Sequence, residues 1–127
     1  MIYGVGTDLI EIPRIEQALA RWGERFALRI LCEPELKRFR VHRQPANYVA
    51  KRFAAKEAFT KALGTGIHAP ANWHGVWVVN LRSGKPQLEF SAALMVLLEE
   101  RGIRRAHVSL SDEKALAMAT VVLECDG

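Results

Sequence analysis

Only two cysteines occur, Cys32 and Cys125, far apart and outside any metal-ligand spacing. That excludes a disulfide-stapled scaffold and a thiolate metal centre, and both read as ordinary thiols. No apolar run approaches the eighteen or so residues that a membrane span needs, so no membrane partner is expected. The opening stretch, IYGVGTD after Met1, has no basic segment ahead of its apolar residues and closes on an acid. No secretory signal is therefore expected, and a cytoplasmic location follows. Repeats, low-complexity tracts and linkers are also missing, which points to one domain over 1–127.

What is present suits a packed α+β protein. Half of the 127 residues are apolar and a quarter charged, enough for a hydrophobic core. The net charge of +4 and pI near 9.4 favour an anionic partner. Nucleic acid, a phosphorylated small molecule and an acidic protein all remain open on charge alone.

Periodicity supplies the elements. Residues 2–8 read as a strand, with Gly4 and Gly6 leaving room for close backbone approach. A helix over 11–22 follows, with Pro13 in its first turn and Ile12, Ile15, Leu19 and Trp22 on one stripe. Gly23 stops it. A short helix is expected over 33–41, and the strongest over 46–63, closed by Gly64-Thr65-Gly66. Residues 73–82 and 85–90 form a hairpin about Ser83-Gly84. Ser91 caps a helix over 92–101, and strands near 105–111 and 115–123 finish the chain. The order predicts an α+β domain with a mostly antiparallel sheet packed by helices.

Three residues draw attention as chemistry. Asp8 ends the first strand, where an acid can equally be a turn or helix-capping residue. Glu57 and Lys61 are four apart on the long helix, on a face with Ala50 and Ala54, where a ligand can approach closely. The plain alternative is a surface ion pair worth a few tenths of a kcal/mol. One acid on a strand and one on a helix suit magnesium, which accepts one or two carboxylates and leaves room for phosphate. A nearby lysine would offset charge on phosphoryl oxygens. On the first helix Arg14 and Arg21, with Arg25 extending the series, lie opposite the apolar stripe. A basic nucleic-acid module is the competing class, with Trp73 and Trp77 as stacking surfaces. It leaves Asp8 and Glu57 without a purpose.

The GVGTD segment and RFAAKEAFTKALGTG together resemble the two signature motifs of the holo-acyl-carrier-protein synthases, the small bacterial 4′-phosphopantetheinyl transferases. The GKP turn at 84–86 and the HVSLSD strand at 107–112 fit the same pattern, so the likeness runs through essentially the whole chain. It implies transfer of 4′-phosphopantetheine from coenzyme A to a serine of apo-acyl carrier protein, in support of fatty acid biosynthesis. It also implies that Asp8 and Glu57 bind Mg2+ and that Lys61 lies near the transferred phosphate. Arg52, Gly84, Lys85, Pro86 and His107 would line the coenzyme A pocket. Relatives of this kind are homotrimers with active sites between subunits, and their carrier proteins are acidic, which gives Arg14, Arg21 and Arg25 a docking role. Arg52 stands about 140° around the helix from Glu57 at 100° per residue, which also favours a shared site. His107, Ser109 and Ser111 alternate with Val108 and Leu110, so His107 should reach a surface or interface. One departure is Asp112, where some relatives carry histidine.

Overall fold

Apolar and polar residues alternate along three strands, and these strands form one sheet. In the computed structural model, which describes residues 1–126, β1 (Ile2–Glu11), β5 (Leu116–Cys125) and β4 (Ile103–Glu113) pair antiparallel in the order β1-β5-β4. Ala117, Ala119, Val121 and Leu123 of β5 face inward and are buried. The opposite face carries cross-strand rows: Val5–Val122–His107, Thr7–Thr120–Ser109 and Leu9–Met118–Ser111. On that face Val5, Leu9 and Met118 stay exposed, at 57%, 60% and 45%. β1 continues three residues beyond the expected end, so Asp8 lies within the strand opposite Ala119. The helix-cap reading of Asp8 falls with this, because Glu11 holds the N-cap position.

The inner face is covered by α4 (Pro45–Leu63), which packs on β1 and β5. Tyr48, Ala55, Ala58, Phe59 and Ala62 are buried as the stripe predicts. The helix is buried on other sides too, including Ala50 and Ala54, both 0% exposed. Those alanines accommodate neighbouring elements of the fold, so the expectation that a ligand approaches over them is corrected. Gly4 and Gly6 are what let α4 lie so close. A Cβ on Gly4 would stand 2.0 Å from the Ala62 carbonyl oxygen, and one on Gly6 2.0 Å from that of Ala58. Gly64, with φ of 89°, ends the helix in the left-handed region that favours glycine.

Around α4 sit α1 (Ile12–Trp22), α2 (Glu24–Ile30) and α3 (Glu33–Phe39). Gly23 ends α1 as expected, but α2 begins directly after it and was not foreseen. Seven residues cannot sustain a helix alone, and α2 holds by burying Ala27 and Ile30. Arg25 therefore belongs to α2 rather than to the α1 stripe. Trp22 also departs from expectation. It is 50% exposed, with the Arg21 guanidinium 4.9 Å over its ring, because the stripe runs past the ground that α1 covers.

A separate two-stranded hairpin, β2 (Val76–Asn80) with β3 (Pro86–Phe90), packs outside the main sheet. Its first strand starts later than the expected 73–82, and Trp73 instead stacks on Phe53 with centroids 4.9 Å apart. α5 (Ala92–Glu100) follows, with its Leu94 amide donating to the Ser91 hydroxyl at 3.2 Å. Cys32 and Cys125 are free thiols, and burial pushes the Cys32 thiol up. Among the described residues no helix is long and apolar enough to cross a membrane.

Candidate active site

Asp8 shares the inner face of β1 with Gly6, and Glu57 precedes Ala58, the residue that Gly6 abuts. The close strand–helix contact thus brings the two acids to one hollow of about 470 Å³. Lys61, one turn beyond Glu57, lines it as well, and so does Arg14 from α1. Ile15, Ala18, Phe26 and Phe53 make its apolar wall. The Lys61 ammonium donates to Asp8 Oδ1 and to the Thr7 carbonyl, each at 3.1 Å. Burial raises the Glu57 carboxyl above its ordinary pKa, the nearby Asp8 charge adds to this, and Lys61 opposes it.

The donor set fits a small hard cation. Two carboxylates repel each other in one hollow, and a single lysine, half exposed, offsets them only in part. A divalent ion would relieve that repulsion and leave positions for phosphate oxygens. Among the described residues no cluster of three or more acidic, histidine or cysteine ligands occurs, so this pair is suited to an ion that keeps most of its shell for water and substrate.

A second group forms about 140° around α4. Arg52 is only 5% exposed, not a solvated surface arginine. Its Nη2 donates to Asn80 Oδ1 at 3.0 Å, its guanidinium lies 3.9 Å over the Tyr48 ring, and its Nε has no partner. Asn80 Nδ2 in turn donates to the Gly84 carbonyl at 3.0 Å. Arg52 and the Gly84-Lys85-Pro86 turn are thereby brought together through Asn80, a residue the sequence reading passed over. Its position at the end of β2, four residues before a glycine turn, was the available signal.

His107 joins neither group. It sits on the outer sheet face with Nε2 2.6 Å from Glu124 Oε2, while Asp8 faces inward. Asp112 accepts from Lys51 at 3.1 Å and from Asn47 at 3.2 Å, tying the end of β4 to α4. Arg21 is exposed, and Arg25 lines a neighbouring hollow with Trp22, Phe26 and Arg29. The Trp73 ring is occupied by Phe53, and Trp77 Nε1 donates to Glu89, which weakens the case for stacked bases.

Sequence reasoning also missed a buried ion pair next to the site. Lys56 and Glu35 are both 0% exposed and 2.8 Å apart. The ammonium also donates to the carbonyls of Ile30 and Trp73, while Glu35 accepts the amides of Cys32 and Val78, each at 2.9 Å. Every hydrogen on the ammonium has an acceptor, the condition under which a buried pair is tolerated.

The sequence pattern of the 4′-phosphopantetheinyl transferase superfamily matches residues 4–121. The chain belongs to that family. Relatives include the holo-[acyl-carrier-protein] synthase of Thiobacillus denitrificans, 49% identical over 98% of this chain and 95% of that protein. That of Vibrio cholerae is also 49% identical, over 98% of each. The crystal structure of the synthase from Neisseria meningitidis superposes with a TM-score of 0.94 at 45% identity, covering 98% of this chain and 99% of that one. The Bacillus anthracis synthase, solved in complex with CoA (3′,5′-ADP), gives 0.84 at 38% identity, covering 99% of both. Within this family the fold reading, an α+β arrangement of antiparallel sheets and helices, holds.

Proposed function

We propose that the protein transfers the 4′-phosphopantetheine moiety of coenzyme A to a serine of apo-acyl carrier protein. The observation that carries this reading is the convergence of Asp8, Glu57, Lys61 and Arg14 on one hollow, in a chain of the transferase family. The serine oxygen attacks the β-phosphorus, and adenosine 3′,5′-bisphosphate leaves. Asp8 and Glu57 hold magnesium, which when bound offsets charge on the pyrophosphate. Lys61, already directed at Asp8, is within a side chain's swing of a phosphate placed there. Glu57, which lines the hollow beside Asp8 and Lys61, is the base we assign to the serine hydroxyl. The Arg52–Asn80–Gly84 group, with Lys85, Pro86 and His107, takes the nucleotide end. Mass spectrometry of apo-carrier protein incubated with enzyme, coenzyme A and magnesium tests the reaction directly. A carrier mass that does not gain phosphopantetheine overturns it.

The working form is a cytoplasmic homotrimer. His107 and Asp8 lie on opposite faces of one sheet, and Arg52 and Glu57 on different sides of one helix, so a single chain does not gather them. The exposed apolar residues Val5, Leu9 and Met118 offer the surface for a second copy. Inactive Glu57→Ala subunits co-refolded with inactive Arg52→Ala subunits should regain part of the activity, because some interfaces then hold one intact site. Light scattering gives the mass. A fully active monomer contradicts the arrangement.

Arg14 and Arg21 are exposed on α1 and suit an acidic carrier protein. Reversing both to glutamate should raise the KM for carrier protein, most at low ionic strength; because Arg14 also lines the hollow, Arg21→Glu alone should do so while leaving the KM for coenzyme A nearly unchanged. Screening acts over a Debye length of about 8 Å at physiological salt. Thermal stability should barely move, since neither side chain is buried. An unchanged carrier KM at low salt removes the pair from the docking surface.

A further inference from the structure

His107 is an exposed side chain, yet one end of its ring is held. Its Nε2 lies 2.6 Å from Glu124 Oε2, and Arg105 Nε donates to the same oxygen at 3.3 Å. The sheet dictates this meeting. On β5 the residues Ala117, Ala119, Val121 and Leu123 point inward, so Glu124 takes the outer face, which Arg105 and His107 of β4 share. The register sets Arg105 across from Glu124, and His107 across from Val122, two residues back along β5. Diagonal neighbours of that kind are within reach of long side chains. The His107 hydrogen bond holds the Glu124 carboxyl below its usual range against desolvation, and the Arg105 charge adds to it. Glu124 is therefore a carboxylate near neutral pH, and a carboxylate only accepts, so Nε2 is the donor in this bond. Nδ1 makes no hydrogen bond among the described residues.

Both cations stand largely in solvent, with side chains 53% and 72% exposed for His107 and Arg105. Exposed pairs of this kind add little to stability. What this one fixes is direction. β4 is an edge strand of its sheet, and a histidine there is otherwise free to change rotamer and to turn its ring over. Tied at Nε2, the ring keeps its Nδ1 edge and its face open. We propose that Glu124 is a positioning residue for substrate binding, holding His107 through Nε2 so that the Nδ1 edge and the ring face are set before the nucleotide of coenzyme A arrives. This rests on His107 meeting the nucleotide end of coenzyme A. Glu124 is an anion and gains nothing from touching a phosphate, so it acts through the histidine. Setting the ring in advance removes an ordering cost from binding and leaves the transfer step alone.

Steady-state kinetics at fixed magnesium, with coenzyme A and carrier protein varied in turn, test this. Glu124→Ala should raise the KM for coenzyme A about fivefold, the scale of one hydrogen bond, while kcat and the KM for carrier protein hold. Glu124→Gln, whose amide oxygen still accepts from Nε2, should recover most of that loss. In a His107→Ala background Glu124→Ala should add nothing, because the two side chains act as a unit. A wild-type KM in Glu124→Ala, with His107→Ala impaired, overturns the role of Glu124 and leaves His107 as a nucleotide contact. Additive losses in the double variant, or a Glu124→Gln as impaired as Glu124→Ala, also overturn positioning, since Glu124 then acts apart from the ring. Glu124 lies on the face offered to a second copy, and a damaged assembly would lower kcat, an outcome that overturns the proposal as well. An unchanged KM for coenzyme A in His107→Ala removes His107 from the nucleotide site, and the role of Glu124 falls with it.

Discussion

Alanine at Asp8 or at Glu57 should abolish phosphopantetheine transfer while the protein stays folded. Each carboxylate supplies half of the protein's charge toward one divalent ion, so either loss should exceed the roughly 100-fold that removing a group behind a metal ligand costs. The double variant should be little worse than the singles, because groups that act as a unit are not additive. Stability should hold for a physical reason. Glu57 is partly buried and repelled by Asp8, so its removal relieves a strain, and the Asp8–Lys61 pair is an exposed bridge of small worth. Carrier-protein mass and a thermal melt are the two measurements, with manganese binding by calorimetry as the direct check on the ion. Ordinary turnover by either single variant in limiting magnesium sinks the metal assignment.

The largest loss of stability should come from Lys56→Met. The side chain fits the space, but Glu35 would stay buried with only backbone amides for company, and the Ile30 and Trp73 carbonyls would lose their donor. Breaking a buried pair from one side costs about 3–5 kcal/mol. That is a large share of the whole stability of a domain this size. Adding Glu35→Gln should recover part of it, since the unpaired charge is gone. Urea midpoints of wild type, single and double variants measure both effects. A single variant that unfolds at the wild-type midpoint shows that the pair is dispensable.

Much of this was legible because it is local and periodic. The α1, α3, α4 and α5 helices follow from apolar spacing, Pro13, Ser91 and the closing glycines, all of which act within a few residues. Asp8, Glu57 and Lys61 were legible as a unit only through the family motifs. No periodicity in the chain says that a strand at residue 8 meets a helix at 57. What escaped was set by tertiary contact. α2 is a helix because α4 offers it somewhere to bury Ala27 and Ile30, and Trp22 is left half exposed at the end of α1. Nothing in the sequence marked Lys56 and Glu35 as buried, since sequence reports charge and not depth. The depth of Arg52 was hidden in the same way. Its burial follows from Tyr48 one turn earlier and from Asn80 on a hairpin that sequence could not dock.

The two glycines of β1 have a consequence for how such a site can drift over evolutionary time. The span between Asp8 and Glu57 is gauged by main chain against main chain, Gly6 on Ala58 and Gly4 on Ala62, rather than by any side chain that could be exchanged. Core residues elsewhere can trade volume with one another and leave that span untouched. The strand motif and the helix motif, fifty residues apart, therefore behave as a single inherited dimension. A change in the size of one is a change in the bite of the other.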